Sequence, residues 1–433
     1  MSILVAILAL SFLILVHEIG HFSAAKLLKV KVLEFAIFMG PKLFSKKVGE
    51  TEYSIRLVPM GGFIKMEGEE EESEDDRAFN KKPKWVRAVV LSAGSLMNLF
   101  VALILMLIIS LNTGYDTCEL NVVLPGSPVE SAGLKSGDVV LEYNESTVNT
   151  PIDVFIHMMD SKGADISVTF LRDGQVNTAA FRPEHIPRNY YMLGIKLKES
   201  YGPDWNVIES LTENGPAGAA GIKAEDRVIS IDGVMIRSRE DLRAALAAKS
   251  GEEVSVTVQR AGEYLDINLT PVRSRSEEGY EIGASFVYVR REDAKFFESI
   301  KHAYYNSLSG ARMVLYSLKW LITGSVGIDQ MSGPVGIVSA IGEVVEESSV
   351  NIGLMMIQLM SFVALLSINL GLLNLMPFPA LDGSKLLLIL IEAIRRKKVP
   401  PEKEMAISMF GFAVLILLMV VTLFNDIGRL IAR

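Results

Sequence analysis

Residues 13–22, LILVHEIGHF, place two histidines and a glutamate inside a run otherwise made of Leu, Ile, Val, Ala, Phe and Met. Such groups are costly in apolar surroundings, so an ionisable residue inside such a run marks a functional site. His17, Glu18 and His21 fit H-E-x-x-H. On a helix, side chains at i and i+4 share a face, so both imidazoles reach one zinc ion. Glu18 then stands beside the ion as general base toward water held there. The motif is short enough to arise by chance, and its apolar setting gives it weight. A catalytic zinc takes three protein ligands and keeps a further position open. His157, His185 and His302 lie outside the apolar blocks, so the third ligand is expected from another such block. Asp382, in NLMPFPALDGSKLLL, is the candidate. Pro377 and Pro379 break the helix before it, and irregular backbone at membrane depth is tolerated only where it is buried or lines a cavity. The alternative role for Asp382 is an N-cap of the helix that follows.

These residues need elements that hold them together, and the composition says which. Of the 433 residues, 50% are hydrophobic, and the mean hydropathy is +0.32. The excess is concentrated in four blocks: Ile3 to about Leu28, Val86 to Leu111, Ile352 to Met376, and about Met405 to Phe424. Each is long enough for the ~30 Å hydrocarbon core of a bilayer. A cleaved signal peptide is the alternative for the first block. Residues 2–16 carry no Lys or Arg and no small-x-small site follows, which argues against it. Thirteen Lys and Arg residues fall between Lys26 and Arg87, and Arg395 to Lys398 pack four more between the last two blocks. Basic loops face the cytoplasm, so both termini and the region between spans two and three are expected outside. His17, His21 and Asp382 then lie at similar depths, toward the cytoplasmic side. The net charge of −8 offers no basic stripe, which excludes nucleic acid as a partner. The acidic run EGEEEESEDD (67–76) reads as a solvated loop. The single cysteine, Cys118, rules out an intramolecular disulfide; it reads as a small apolar residue, with lipidation as the alternative.

Residues 117–290 are charged, rich in short alternating segments, and contain a repeat. PGSPVESAGLKSGDVVLEYNESTV (125–148) matches ENGPAGAAGIKAEDRVISIDGVMI (213–236) in the pattern G-x-P-x-x-x-A-G-[LI]-K-x-x-D-x-V-[IL], allowing one residue of offset. Each copy leads through a charged helical stretch to an alternating strand, ISVTFLR (166–172) and VSVTVQRAG (254–262). Each resembles a PDZ domain of the kind found in bacterial proteases, where the chain enters the fold at a different strand. Such modules bind extended peptide tails by strand addition; the other reading is a steric filter against bulky substrates.

H-E-x-x-H in the first span with N-x-x-P-x-P-x-L-D-G near the end of the third (Asn374, Pro377, Pro379, Leu381, Asp382, Gly383) resembles the site-2 protease family of intramembrane zinc metalloproteases. The PDZ pair between spans two and three resembles its regulator of sigma-E protease branch, and the likeness covers essentially the whole chain. It implies a Zn2+ cofactor on His17, His21 and Asp382, Glu18 as general base, and cleavage of transmembrane segments of single-span proteins. VPMGGFIKMEG (58–68) resembles the family's membrane-reentrant hairpin, which implies that Gly61, Gly62 and Phe63 touch substrate; Asn374 is a further candidate for holding its backbone. A plain cytoplasmic hairpin is the alternative. SAGSLMN (92–98) resembles the family's A-G-P-x-x-N, with Ser95 where proline is usual and Asn98 able to hydrogen-bond near the site; MSGPVGI (331–337) resembles a segment before span three. After Asp-Gly, relatives often carry Gly with His or Arg; Ser384 and Lys385 stand there instead.

The expected fold is a multi-domain membrane protein: an α-helical core of four transmembrane spans holding a zinc site, plus two tandem PDZ domains outside the membrane. The expected boundaries are 1–116 for spans one and two with the hairpin, 117–200 and 201–290 for the PDZ domains, 291–350 for an amphipathic segment on the outer membrane surface, and 351–433 for spans three and four. The expected setting is a bacterial inner membrane, with lipid and transmembrane substrates (an anti-sigma factor or a remnant signal peptide) as partners. Three rivals make different demands. A catalytically dead scaffold has no use for Glu18, a protease of soluble external peptides needs the site at the outer surface, and a metal transporter leaves the PDZ repeats unexplained.

Overall fold

The computed structural model describes residues 2–431 apart from 70, 72, 124–125, 187–190, 198–205, 213–214, 237–238, 250, 274–278, 291, 328–330, 348–351 and 398. Pro125, Glu213 and Asn214 of the repeat pattern, Lys398 of the basic loop, and the boundaries at 200/201, 290/291 and 350/351 fall wholly or partly outside the described residues. The chain forms two units, Met1–Tyr115 with Val289–Arg433, and Asp116–Tyr288.

The first unit begins with α1 (Ser2–Leu27), then β1 (Val32–Val48) and β2 (Thr51–Met66), then α2 (Lys84–Thr113). Four helices of this unit are long and apolar enough to cross a membrane: those containing Leu4–Leu27, Lys84–Thr113, Met355–Leu375 and Glu402–Gly428. They coincide with the four apolar blocks.

β1 and β2 fold into more than a hairpin. Val32, Phe35 and Ile37 pair with Met66, Ile64 and Gly62, numbers running in opposite directions; Phe35 and Ile37 also pair with Tyr53 and Ile55, numbers rising together. Phe44 to Val48 pair back on Ile55 to Thr51. The four stretches therefore lie in the order 42–48, 51–56, 32–37, 62–66, with 62–66 on one edge. The sheet is held by Glu34, whose carboxylate accepts from Ser54 at 2.7 Å and from Arg56 at 2.8 Å. The acidic run beside it is pinned rather than simply solvated: Lys31 bonds Asp75 at 2.8 Å and Lys385 bonds Glu69 at 3.0 Å.

The second unit holds the repeats. In chain order the first contributes β3 (Gly114–Val123), α3 (Pro128–Ser131), β4 (Val139–Tyr143), β5 (Ser146–Thr147), α4 (Pro151–Ser161), β6 (Ile166–Arg172), β7 (Gln175–Phe181) and β8 (Glu184–Ile186). The second contributes β9 (Tyr191–Met192), β10 (Ile195–Leu197), β11 (Ile208–Leu211), α5 (Pro216–Ala219), β12 (Arg227–Ile231), β13 (Val234–Met235), α6 (Arg239–Lys249), β14 (Val254–Arg260), β15 (Glu263–Leu269) and β16 (Val272–Arg273). β17 (Gly279–Glu281) and β18 (Ala284–Arg290) follow. The same ion pair on a buried carboxylate recurs in both: Arg172 grips Asp138 at 2.7 and 2.6 Å and the Gly133 carbonyl at 2.8 Å, and Arg260 grips Asp226 at 2.7 Å twice and the Gly221 carbonyl at 2.8 Å. Cys118 is packed in the first core. Burial, with the nearby Asp153 charge, pushes its thiol up to about 12, which fits a small apolar residue better than a lipid attachment point.

The repeats are nested rather than consecutive. β18 lies beside β3 in the first repeat's sheet, in the order β18-β3-β4-β6-β7. β17 pairs with β8, and Ile282 is buried in the first core with Leu120, Tyr143 and Phe170. Leu193 is buried in the second core with Ile208 and Val256, and Tyr191, Ile195 and Leu197 pack against it. The Ile282 carbonyl accepts from Val129, as the Leu193 carbonyl accepts from Ala217. Residues 191–197, assigned by sequence to the first module, thus belong to the second, and residues 279–290, assigned to the second, complete the first. The repeat pattern covers only the contiguous part of each module, so it carries no sign of this exchange.

The chain returns to the first unit with α7 (Phe296–Ile322), α8 (Pro334–Glu347), α9 (Ile352–Leu375), α10 (Asp382–Arg395) and α11 (Pro401–Ile431). α7 departs from the surface helix expected for 291–350. Val314 is buried with Ala102 and Ile368, and Ala311 and Leu318 pack there beside Leu99, Met106 and Leu372. Leu99, Ala102 and Met106 lie well inside α2 and Ile368 lies inside α9, whereas a helix lying on the membrane surface touches only span ends. Amphipathicity shows that one face is covered, and here protein covers it. At the start of α8, Gly333 just before it and Gly336 within it donate backbone N–H groups at 3.1 and 2.8 Å to the buried carboxylate of Asp426 in α11.

The nesting has a direct test. A fragment of residues 190–274 is expected to unfold in one cooperative thermal transition, and 117–186 to show none until a 279–290 peptide is added. A cooperative transition for residues 117–200 alone would contradict the exchange.

Candidate metal centre

α1, α9 and α10 bring the H-E-x-x-H and L-D-G residues together because small residues let backbones approach closely. A Cβ on Gly20 of α1 would clash with the Ala93 carbonyl oxygen of α2, and one on Gly371 of α9 would lie 3.0 Å from the Ser95 carbonyl oxygen. Beyond α9 the chain turns sharply at Ala380, which takes a left-handed φ of +77°. A non-glycine residue held there costs on the order of 1–3 kcal/mol. The turn brings Gly383 so close to the end of α9 that a Cβ would clash with the Met376 carbonyl oxygen. Asp382 begins α10 with Leu381 in the N-cap position and no side-chain cap bond, which sets aside the N-cap role for Asp382.

The result is a compact triangle of donor atoms. His17 Nε2 lies 3.0 Å from Asp382 Oδ2, His21 Nε2 lies 3.2 Å from the same oxygen, and the two Nε2 atoms are 3.0 Å apart. Tetrahedral zinc with bonds near 2.0–2.1 Å sets its ligand atoms about 3.3 Å apart, so the triangle is within a few tenths of an ångström of that ligand set. His17 and His21 are buried and Asp382 is half-buried. Among the described residues this is the one His/Cys/Asp/Glu group with three donor atoms so close together.

Hydrogen bonds behind the imidazoles test the fit further. His21 Nδ1 lies 2.8 Å from the Val90 carbonyl oxygen of α2. A carbonyl only accepts, so Nδ1 carries the proton and Nε2 presents its lone pair to the triangle. His17 Nδ1 faces the Asn98 amide nitrogen at 3.3 Å, while Asn98 Oδ1 is buried without a partner. Turning that amide over gives the orphaned oxygen the His17 Nδ1 proton and leaves the His17 Nε2 lone pair for a metal; amide orientation is an assignment that the hydrogen-bond network decides. The donor set therefore fits zinc at both histidines.

Glu18, next to His17 on α1, reaches the sheet, where its Oε2 accepts from the Ile64 backbone N–H at 3.1 Å. Gly61 and Gly62 are buried. Gly61 takes φ +66° with room for a Cβ only 3.0 Å from Ile14, and a Cβ on Gly62 would lie 2.7 Å from the Ala36 carbonyl oxygen. These glycines serve close packing, and Phe63 lies under the Arg56 guanidinium at 4.9 Å. Asn374 stands half-buried in the last turn of α9, outside the triangle.

Sequence reasoning missed three contributors: the Val90 carbonyl, the Ile64 amide and Gly94. A Cβ on Gly94 would lie 2.5 Å from His21 Nε2 and 2.7 Å from His17 Nε2. A glycine in the middle of an apolar span was the available sign. Gly94→Ala is expected to lower zinc affinity about 10- to 100-fold, the range for disturbed outer-shell support. Asn98→Leu is expected to do the same, with Asn98→Asp largely retaining affinity. Competition with a chromogenic chelator measures both, and unchanged affinity in Gly94→Ala and Asn98→Leu would contradict the geometry.

The model of peptidase family M50 matches residues 5–418. Among curated relatives, the zinc metalloprotease RasP of Geobacillus kaustophilus is 34% identical over 443 residues, covering 99% of this chain and 98% of the relative. The regulator of sigma-W protease RasP of Bacillus subtilis is 31% identical over 444 residues, covering 99% of each. Among solved structures, the HtrA3 PDZ domain bound to a phage-derived ligand aligns over 22% of this chain and 93% of its own, with 17% identity and a TM-score of 0.18. The matches run almost end to end, and the chain belongs to peptidase family M50 as a zinc metalloendopeptidase with Zn2+ as its cofactor.

Proposed function

We propose that the chain cleaves transmembrane segments of single-span membrane proteins, with His17, His21 and Asp382 as zinc ligands and Glu18 as general base. The observation that carries this reading is the donor triangle: His17 and His21 stand on a helix long and apolar enough to cross a membrane, and Asp382 follows the turn that ends another. Zinc bound there supplies Lewis-acid polarisation of the scissile carbonyl and makes water a better nucleophile near neutral pH. Glu18 takes a proton from the attacking water and hands it to the leaving amine. The Val90 carbonyl and the Asn98 amide keep the two imidazoles oriented through these steps.

A helical substrate offers no accessible carbonyl, because its backbone groups are paired within the helix. Cleavage therefore requires local unwinding. The 62–66 edge of β2, next to Glu18, is the place where an unwound stretch adds as a strand. Phe63, which stands in that strand beside Ile64, and Asn374 are the substrate contacts we assign, with Gly61 and Gly62 shaping the edge.

A bacterial inner membrane is the setting we assign; the basic stretches, which favour the cytoplasmic side, support a zinc site toward that face and residues 116–288 on the outer side. The two nested modules read as PDZ domains that either take extended peptide tails or exclude bulky substrates. One relative is named a regulator of sigma-W protease, which favours an anti-sigma factor as substrate here, with a remnant signal peptide as the other candidate of the same single-span chemistry.

Glu18→Gln, reconstituted in liposomes with a single-span substrate, is expected to bind as much zinc as the wild type and to cleave about 10²–10⁴-fold more slowly. Zinc by elemental analysis and cleavage by gel mobility read the two separately. Cleavage at the wild-type rate with full zinc would remove Glu18 from its role.

A further inference from the structure

Two polar side chains on one face of α1 hold β2 by its backbone. Ser11 Oγ donates to the Pro59 carbonyl at 2.7 Å and receives the Gly61 N–H at 3.4 Å; seven residues on, Glu18 Oε2 receives the Ile64 N–H at 3.1 Å. Residues seven apart, two helical turns, share a face, so α1 presents an acceptor where a neighbouring strand would present a carbonyl. Ile64 faces Phe35 of β1 on its paired side. Its amide points the other way, to Glu18, and by the alternation of a strand the Gly62 and Met66 amides share that outward side while Phe63 and Lys65 face β1.

An antiparallel strand added along 62–66 needs the Ile64 N–H for its own carbonyl. A single N–H cannot serve that carbonyl and Glu18 at full strength. We propose that substrate pairing takes the Ile64 amide away from Glu18, so that occupancy of the strand edge releases the general base from the sheet toward the scissile bond. With the edge empty, Glu18 is tethered; with it filled, Glu18 is free to act. Ile64 is thus a positioning residue acting through its backbone, a role no side-chain motif can encode. The inference rests on the strand-addition reading above, and it adds a coupling between binding and catalysis: water in an empty site meets a tethered base.

The test uses the zinc-loaded full chain in nanodiscs, as wild type and Glu18→Ala. Each is studied alone and with an extended apolar decapeptide whose central amide is reduced to CH2–NH so that it cannot be cut. Amide hydrogen exchange at Gly62, Phe63, Ile64, Lys65 and Met66 is followed by NMR, and peptide affinity by fluorescence. Without peptide, Ile64 is expected to exchange about 10-fold or more faster in Glu18→Ala, the loss of one hydrogen bond to a charged acceptor. Phe63 and Lys65 stay unchanged, showing that the sheet is intact. With peptide, Gly62, Ile64 and Met66 are protected in both proteins, and Glu18→Ala binds the peptide several-fold more tightly because nothing has to be displaced. Equal Ile64 exchange without peptide overturns the tether. Edge protection with equal affinity overturns the displacement while leaving strand addition standing. A peptide that binds but protects none of the three outward amides overturns strand addition itself, and the coupling with it.

Discussion

Two imidazoles and a carboxylate cannot sit unpaired among apolar helices, because each would cost a few kcal/mol or more without a partner. The mutual approach of His17, His21 and Asp382 to about 3 Å resolves that cost, and most of the unusual local structure exists to make the approach possible. Gly20, Gly94 and Gly371 thin the helices where they cross. Ala380 accepts a left-handed conformation and Gly383 lies almost on the end of α9 so that Asp382 can reach back to α1. The Val90 carbonyl and Asn98 turn each imidazole so that its lone pair faces inward.

The sheet of β1 and β2 is joined to this centre through backbone contacts. Serine and glutamate on α1 satisfy groups on the edge of β2 that would otherwise be left without partners. An edge strand with open amides invites another strand, and in this protein the helix carrying the catalytic motif guards that edge. On the proposed reading, recognition of an unwound segment and the chemistry performed on it meet at one backbone amide.

Some of this was legible in the sequence and some was not, for identifiable reasons. The i, i+4 histidines are local, so their spacing alone places them on one helix face. Asp382 announced itself through the prolines that break the helix before it. The Val90 carbonyl and the Ile64 amide are backbone groups with no residue type to mark them, and Gly94, though a glycine within SAGSLMN, does not show by its type which side chains it faces. The nesting of the repeats escaped because the returning segment, Gly279 to Arg290, is short and shares little more than an Ile-Gly pair with the Leu-Gly of residues 193–194. α7 showed an apolar face to the sequence reader, but periodicity does not distinguish burial against lipid from burial against α2 and α9.

X-ray absorption at the zinc edge, on membrane-reconstituted protein, addresses the metal centre most directly. The expected first shell is two imidazole nitrogens with oxygen donors at about 2.0–2.1 Å and no sulfur at about 2.3 Å, falling to one imidazole in His17→Ala. An imidazole count unchanged in His17→Ala, or a sulfur shell, would contradict the assignment of His17, His21 and Asp382 as the ligands.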